Sequence, residues 1–482
     1  MTPNHPEELD FDVEIDSDVD IDPSDGNNRP LIERIVVKGL HARADYDLDF
    51  RLGGDFDRVA LFYGDNGSGK TTILRLIWDL LSPAPDKGHR TRISKVAFQE
   101  FTVHLSSMIT ISAVRKVAVS GPFEVVTRKR SRLVSRSTWP EKHEFEQFFS
   151  DWPLQAFEKR LGELDSEVER AGRQALAKLK YLDVLRSSGS APYYLADDRS
   201  TSSDQIDLGR SAVEIRRARL SARDGLDSAA VSKKTLADEL DRSINLVNTK
   251  LRRLAFGASV SGSAGANSVY LDVLKRLGQF QSDVDPDRSR EDLLFRIHQV
   301  GERSRRFEAL GLTPRFGSTE FKMSVRSIPK ANLGNVLSIL DPYLNSLSAR
   351  LDALQDSQIL IQTLLDEANQ YLTDKRILYS SRGIRIELTD ETTLQTHQLS
   401  SGECHVLLLL CNAVLARGSG RVFLIDEPEL SLNVKWQRRI VKSLLAITEG
   451  SGVQFILATH SIELLSGFRN RVVKLRPESD SE

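Results

Sequence analysis

The chain has 482 residues, of which 40% are hydrophobic and 28% are charged. This is the ordinary composition of a soluble globular protein, and it excludes collagen-like, mucin-like and fully disordered chains. At about 100 to 200 residues per domain, the length predicts two or three folded units. The net charge of −2 is unevenly distributed, because residues 1–30 contain ten acids and one arginine, a charge of −9, and the other residues carry +7.

The acidic segment at the N-terminus alternates acidic and other residues from Asp10 to Asp25. Such a segment buries too little apolar surface to offset the entropy of ordering, so we predict a disordered tail. Two interpretations stay open. The segment is either a tail that adds solubility or an autoinhibitory mimic of nucleic acid that occupies a basic groove.

Targeting and membrane signals are not evident in the sequence. The longest apolar run, Val406–Ala416, contains Asn412 and is shorter than the roughly 18 residues that a membrane span requires. The N-terminus is acidic and lacks the apolar core of a signal peptide. Cys404 and Cys411, seven positions apart, are too far apart on a helix to form a disulfide. We therefore predict a cytoplasmic protein without disulfides and without a membrane partner.

The first third of the chain predicts mainly strands. Extended segments at 32–37 and 46–51 flank a turn at Gly39, and an apolar run at 59–63 ends at a glycine cluster. Helical spacing follows over 71–81. Three further segments alternate like strands of an antiparallel subdomain: 96–105, 108–119 and 123–126. This subdomain ends in a basic run at 127–136.

The middle of the chain, from about residue 141 to 372, has the pattern of long charged helices. Heptads are not sustained over several repeats, so a compact helical lobe with partial coiled coil is favoured over a long rod. A stretch rich in Gly, Ser and Ala, 257–268, predicts a flexible loop within the lobe. Strand-like residues return at 383–388.

A phosphate-binding loop is predicted directly after the strand at 59–63. The sequence matches G-x-x-x-x-G-K-[ST] and opens a helix, so backbone N–H groups and the helix N-terminus would surround phosphate oxygens. Lys70 would reach the β- and γ-phosphates, and the Thr71 hydroxyl would bind Mg²⁺. The predicted nucleotide-binding residues are Gly64, Asp65, Asn66, Gly67, Ser68, Gly69, Lys70, Thr71 and Thr72.

Two carboxylates end a second apolar strand, which the sequence predicts at 421–427. Asp426 is the expected Mg²⁺ ligand, and Glu427 is the expected base for the attacking water. A plain helix-capping role for these acids is the alternative. His460 follows another apolar strand at 454–457, so we expect it at the same sheet edge.

A second anion site is predicted at the start of the helix that follows Leu399. Hydroxyls and backbone amides of Ser400, Ser401 and Gly402, followed by Glu403, would point out of that helix start. An N-capping serine with an acidic first turn is the alternative interpretation.

Together these four motifs, in this order, resemble the ATP-binding cassette (ABC) ATPases of the SMC and RecF branch and their overcoming-lysogenisation-defect-like relatives. The resemblance covers about 31–82 and 395–476. It implies an α/β head, in which a parallel P-loop sheet and an antiparallel β-subdomain carry a large helical insertion. Leu399–Glu403 matches the family signature, Asp426 and Glu427 match Walker B, and His460 matches the switch histidine.

The resemblance also implies domains, cofactors and assembly. The implied divisions are an acidic tail (1–30), the two head halves (31–140 and 376–476), the helical insertion (141–375) and a short tail (477–482). The implied cofactors are ATP and Mg²⁺. The implied assembly is a homodimer or higher homo-oligomer, in which each nucleotide lies between the P-loop of one subunit and the signature of the other.

Two positions depart from the family pattern. Gln99 is one option for the Q-loop glutamine, but the better-positioned segment, Tyr193–Arg199, contains no glutamine. Asn433 stands where many relatives have Asp or His. Slow or partner-dependent hydrolysis is therefore expected.

Three functions are consistent with these residues. The leading hypothesis is an ATPase subunit of a bacterial anti-phage system, similar to Septu-type or PARIS-type ATPases, that controls a separately encoded nuclease or toxin effector; no nuclease is predicted in this chain. The second is a RecF-like DNA-repair ATPase. The third is a nucleotide-gated scaffold with little turnover. Nucleic acid would contact two predicted basic clusters, which are otherwise solvated charges: Arg128, Lys129, Arg130, Arg132 and Arg136, and Arg216, Arg217 and Arg219.

Overall fold

The computed structural model describes residues 32–50, 58–85, 87–116, 118–139, 166–189, 192–196, 201–202, 235–277, 286–418 and 422–475. Both predicted tails and the cluster of Arg216, Arg217 and Arg219 lie outside these residues.

The described residues alternate between strands and helices. The strands are β1 (Ile32–Leu40), β2 (Ala44–Asp49), β3 (Val59–Tyr63), β4 (Glu100–Leu105), β5 (Ile109–Val114), β6 (Phe123–Lys129), β7 (Arg132–Trp139), β8 (Pro192–Leu195), β9 (Thr201–Ser202), β10 (Lys375–Ser380), β11 (Gly383–Leu388), β12 (Thr393–Leu394), β13 (Val422–Asp426), β14 (Gln454–Thr459) and β15 (Val472–Lys474). The α-helices are α1 (Lys70–Leu81), α2 (His89–Lys95), α3 (Ser166–Ser188), α4 (Leu236–Leu277), α5 (Pro286–Ala309), α6 (Ser318–Ser327), α7 (Leu333–Asn369), α8 (Ser401–Ala416), α9 (Val434–Ile447) and α10 (Ile462–Leu465). Short 3₁₀ turns lie at Lys330–Asn332, Thr396–Gln398 and Arg469–Arg471.

A central sheet carries the predicted chemistry. Its strand order is β15-β3-β14-β13-β8-β9, and all neighbours are parallel except the β8–β9 pair. Both β13 and β14 are buried along their whole length. This burial explains their continuous apolar sequences, since a parallel sheet is covered on both faces. The predicted α/β fold class is confirmed.

The antiparallel sheet has the order β2-β1-β4-β5-β6-β7. Its inward side chains, among them Ile35, Phe101, Val103 and Ile111, join one apolar core with α1 and one face of the central sheet. Gln454 connects the two sheets, because its side chain accepts from the Ile32 N–H and donates to the Ile32 carbonyl, both at 2.9 Å.

The range 141–375 is mostly helical where it is described, but it also contains β8, which pairs with β13. The range predicted as a helical insertion therefore also contains a strand at 192–195. Four buried residues without helical spacing are enough for a core strand, and so short a segment has little sequence signal of its own.

The helices of this range pack in two places. The start of α4 contributes Leu240, Val247 and Leu251 to the core that contains α8. Farther along, α5 and α7 share a separate core that includes Leu293 and Leu351. The predicted loop at 257–268 is wrong, since α4 continues through it. Glycine and serine each cost a helix about 1 kcal/mol or less, and no proline interrupts this stretch.

A buried triad-like chain of hydrogen bonds ties α1 to α2. Ser82 Oγ lies 2.8 Å from His89 Nε2, and His89 Nδ1 lies 2.8 Å from Asp79 Oδ1. Asp79 also accepts from Arg92. The order resembles a Ser-His-Asp triad, but Ser82 is completely buried and His89 is 1% exposed. A substrate could not reach the serine, so this chain of bonds holds the two helix ends together.

Among the described helices, none combines the length and the apolar composition needed to span a bilayer.

Candidate nucleotide-binding site

The glycine loop lies between β3 and α1, as predicted. Gly67 and Gly69 have φ values of +82° and +85°, which favour glycine. A Cβ atom on Gly69 would lie 2.8 Å from Leu40 Cδ2, so this position also lacks room for a side chain. Tyr46 OH donates to the Ser68 carbonyl at 2.7 Å and holds the loop against β2.

Lys70 lies under this loop. Its side chain is buried, and its ammonium donates to the carbonyls of Gly64 at 2.8 Å and Asp65 at 3.0 Å. Burial lowers the pKa of Lys70, while the carboxylates of Glu427 and Asp426 act in the opposite direction. The ammonium is thus held where a phosphate on the loop would meet it.

The first acid of the Walker B pair faces the helix start. Thr71 Oγ1 donates to Asp426 Oδ1 at 3.1 Å, and Tyr194 OH lies 3.5 Å from Asp426 Oδ2. Mg²⁺ prefers oxygen ligands and keeps several waters, with further oxygens from phosphate. A hydroxyl and a carboxylate in contact, beside an anion-binding loop, therefore fit Mg²⁺ with a nucleotide.

The second acid and the histidine meet at the same sheet edge. Glu427 has φ +48°, and its N–H donates to the Ala458 carbonyl at 2.9 Å. Its Oε1 lies 4.0 Å from His460 Nε2, and both side chains are 36% exposed. The structure therefore brings together the start of α1 and the carboxyl ends of β13 and β14, which carry Lys70, Thr71, Asp426, Glu427 and His460.

Glu429 completes this edge, and the sequence reasoning assigned it no role. Its Oε1 accepts from Thr459 Oγ1 at 2.7 Å and from the backbone N–H groups of His460 at 2.7 Å and Ser461 at 3.1 Å. One carboxylate oxygen therefore holds the whole segment that carries the histidine. The only sequence signal is the third acid in Asp-Glu-Pro-Glu at 426–429.

The predicted signature lies at the start of α8, where Ser400 is the N-cap. The Glu403 N–H donates to Ser400 Oγ at 3.3 Å, and the Ser400 N–H donates to Glu403 Oε2 at 2.7 Å, a complete capping box. Lys375 also binds Glu403 at 2.8 Å. Burial raises the pKa of Glu403, but hydrogen bonds from Lys375 and Ser400 outweigh it and lower the pKa overall. The Glu403 carboxylate is thus committed to the cap, as the alternative interpretation expected.

The start of the predicted signature is exposed to solvent. Ser400 and Ser401 are exposed. A Cβ atom on Gly402 would lie 2.7 Å from the Ser431 carbonyl, so the helix start packs closely against the segment after Walker B. The described side-chain hydrogen bonds of this signature join Ser400, Glu403 and Lys375, and none of them reaches the P-loop.

The two departures from the family pattern have structural answers. Gln99 packs against Gly39 in the antiparallel sheet, where its backbone N–H donates to the Lys38 carbonyl. In the segment Tyr193–Arg199, the Tyr194 side chain contacts Asp426. Residues Asp197–Arg199 lie outside the described residues. Asn433 caps α9, since its Oδ1 accepts from the Trp436 N–H at 3.0 Å.

A glycine loop after β3, acids after β13 and a histidine after the intervening β14 define a P-loop ATPase with an ABC-type head. The comparisons agree with this class. Residues 59–466 match the model of the family described as "AAA domain, putative AbiEii toxin, Type IV TA system". The match spans most of the chain, so the chain belongs to this family.

Curated relatives match a smaller part. The phosphonates import ATP-binding proteins PhnC of Lactobacillus johnsonii and Lactobacillus gasseri are each 29% identical over 92 residues. That alignment covers 19% of this chain and 35% and 34% of those proteins. The chain therefore spans about a third of the length of the curated relatives it matches.

Solved structures to which the chain aligns include two Smc head domains. The Pyrococcus furiosus head with an extended coiled coil, bound to the C-terminal domain of ScpA, has 14% identity, a TM-score of 0.37 and coverage of 93% of this chain and 94% of that chain. The Pyrococcus yayanosii head with a coiled coil and joint has 13% identity, a TM-score of 0.39 and coverage of 92% and 95%.

Proposed function

We propose that this protein binds and hydrolyses ATP between two head domains arranged head to tail, and that this cycle controls a separately encoded effector in anti-phage defence. The observation that carries the ATPase part is the contact of Thr71 with Asp426, with Glu427 and His460 at the same edge. Phosphate, metal and water chemistry would then meet within one site.

Each residue has a role that follows from its position. The P-loop amides and the Lys70 ammonium bind phosphate oxygens, and Thr71 and Asp426 hold Mg²⁺. Bound Mg²⁺ supplies positive charge to the phosphate oxygens. Glu427 accepts a proton from the attacking water, and His460 lies close enough to orient that water with it.

The proposed dimer is supported by the exposed Ser400 and Ser401 at a helix N-terminus. Such a surface binds anions, and its described hydrogen bonds do not involve the P-loop of its own chain. A second copy would supply that P-loop with its nucleotide. ATP would then join two subunits, and its hydrolysis would separate them.

A complementation experiment tests this arrangement. Lys70→Ala disables one half of a composite site, and Ser401→Arg blocks the other half. Each variant alone should lose ATPase activity. A 1:1 mixture should recover about a quarter of wild-type activity, because half of the randomly formed dimers are mixed and each contains one intact site.

A matched control distinguishes a composite site from general rescue. Lys70→Ala mixed with Glu427→Gln should recover nothing, since both residues belong to the same half of the site and every mixed dimer has two damaged sites. Mixed dimers that form without any recovery in the Lys70 and Ser401 pair would contradict the head-to-tail arrangement.

The effector part is supported by the family description, which names a toxin and a toxin–antitoxin system. The test is co-expression with neighbouring genes, followed by assays of phage infection and of nucleotide-dependent nuclease or toxin activity. Loss of protection in Lys70→Ala is expected, whereas protection that does not depend on ATP would contradict the proposal.

A second candidate, a RecF-like DNA-repair ATPase, is favoured by the basic residues at 128–136. It predicts ATP-dependent binding of duplex DNA that weakens steeply with salt.

A further inference from the structure

The hairpin of β6 and β7 ends in a concentrated patch of positive charge. Residues 127–139 contain five cations and no acid: Arg128, Lys129, Arg130, Arg132 and Arg136. Arg130 and Arg132 are exposed, whereas Arg136 faces Glu124 at 4.0 Å. We call residues 128–132 the basic tip.

Two exposed apolar side chains lie beside the basic tip. Met108 is 62% exposed, and its carbonyl accepts from the Arg130 N–H at 2.9 Å. Leu133 is 42% exposed and pairs with Arg128 across the hairpin. The surface therefore combines positive charge with apolar contacts. A ligand with both acidic and apolar side chains fits it better than a bare phosphate backbone does.

The same chain contains a segment of this chemistry. Every even position from Asp10 to Asp22 is acidic, and the odd positions from Leu9 to Ile21 are apolar except for Ser17. In an extended conformation, successive side chains alternate in direction, and residues two apart are about 6.6 Å apart. Seven carboxylates would then lie along one side of the segment.

The sheet register places Ile32, the first described residue after this segment, close to the basic tip. Ile32 pairs with Leu105, Leu105 with Ile109, Ile109 with Lys129, and Lys129 with Arg132. These residues form one row across five strands. With strands about 4.8 Å apart, Ile32 lies about 14 Å from Lys129.

The intervening length is sufficient. Nine residues lie between Asp22 and Ile32, and the ten steps from one Cα atom to the next span up to about 33 Å in an extended chain. The hydrogen bonds from Gln454 hold Ile32, the attachment point of the preceding chain, at this end of the sheet. Attachment to the same chain raises the local concentration of the acids to roughly millimolar, which favours binding even by individually weak ion pairs.

We propose that residues 9–22 dock on the basic tip of their own chain, with their carboxylates on the cations at 128–132. The docked segment closes this surface to other polyanions. This contact does not rest on the proposed ATPase cycle, because every element of it is present without nucleotide.

Distance measurements between spin labels test the contact in the full chain. Labels are attached at Ser17→Cys in the segment and Ser131→Cys in the exposed turn of the tip. The two native cysteines are buried, and burial raises the pKa of Cys411 to about 12, so the introduced thiols react first. A narrow distance peak below about 30 Å is expected at low ionic strength, since docking brings the labels within a few strand spacings.

Charge changes then separate docking from mere proximity. Arg130→Glu with Arg132→Glu should broaden the peak and move it to longer distances, as should 1 M salt, where the screening length is about 3 Å. The matched control is Arg382→Glu, an exposed arginine in the turn between β10 and β11, which should leave the peak unchanged. A distance distribution that changes neither with the charge reversal at Arg130 and Arg132 nor with 1 M salt would overturn the proposal.

A mixing experiment identifies the occupant. Molecules labelled only at position 17 are mixed with molecules labelled only at position 131. No short distance is expected between them. A short distance that appears only in the mixture would overturn docking within one chain and assign the site to a second copy.

Discussion

Replacing Glu429 by Gln tests whether one carboxylate holds the histidine segment in place. In the wild-type protein, Oε1 accepts three hydrogen bonds, from Thr459, His460 and Ser461, at 2.7 to 3.1 Å. The second oxygen, Oε2, is buried and has no hydrogen-bond partner among the described residues. Glutamine keeps the shape and one acceptor, but it removes the negative charge and adds a buried amide.

The expected loss follows from these contacts. A hydrogen bond to a charged group contributes about 1.5 to 3 kcal/mol, against about 0.5 to 1.5 for a neutral pair. Three bonds that each weaken by about 1 kcal/mol set an upper limit near 3 kcal/mol in unfolding free energy. If half of this free energy is lost because His460 is no longer held in place for catalysis, kcat should fall by about tenfold, since 1.4 kcal/mol corresponds to a factor of ten.

Steady-state ATPase assays and denaturant unfolding measure the two effects. KM should change little, because the phosphate contacts at Lys70 remain. Glu463→Gln is the matched control: Glu463 is partly exposed and pairs with Arg438 at the surface, so a change within about 0.5 kcal/mol is expected. Wild-type kcat and wild-type stability in Glu429→Gln would refute the role assigned to this carboxylate.

Two further predictions concern the fold around the site. Lys250 donates to the Leu415 carbonyl at 2.8 Å at the end of α8, and burial lowers its pKa to about 8 from 10.5. The unfolded chain therefore holds this proton up to higher pH than the folded chain. The free energy of unfolding should accordingly increase as the pH rises from about 8 to 10.5. Denaturation at several pH values should show this increase in the wild-type protein and not in Lys250→Met. Gly69→Ala combines a positive φ with contact on Leu40, whereas Gly450→Ala has a similar φ of +70° and open space. Both should lose about 1 to 2 kcal/mol for the left-handed backbone, and only Gly69→Ala should lose more in thermal unfolding; equal losses would contradict the steric argument.

The elements of the head could be predicted from the sequence because each depends on a pattern within a short segment. The glycine loop needs particular residues at particular spacings for its backbone, and the helix after it shows its own periodicity. The apolar runs that became β13 and β14 are continuous because parallel strands are buried on both faces. These features depend on neighbours in the chain, so they were predicted with nearly correct bounds.

The structure differs from the sequence predictions where residues that are distant in the chain come into contact. Residues 192–195 form a strand only because β13 offers an unpaired edge beside them, and the helix through 257–268 continues despite its glycines. Glu403, predicted as a nucleotide contact, forms a capping box with Ser400 and also accepts from Lys375, 28 positions earlier. Sequence spacing contains no information about such distant partners.

The amino-acid sequence by itself determined that this chain has a P-loop, two acids at a strand end, a histidine beside them and a helical insertion, because each follows from chemistry within a short segment. Only the tertiary structure decided that Glu429 holds the histidine segment and that Ile32 lies about 14 Å from Lys129 in the basic tip. Both depend on which strands are neighbours in the sheets. That order results from packing across the whole chain.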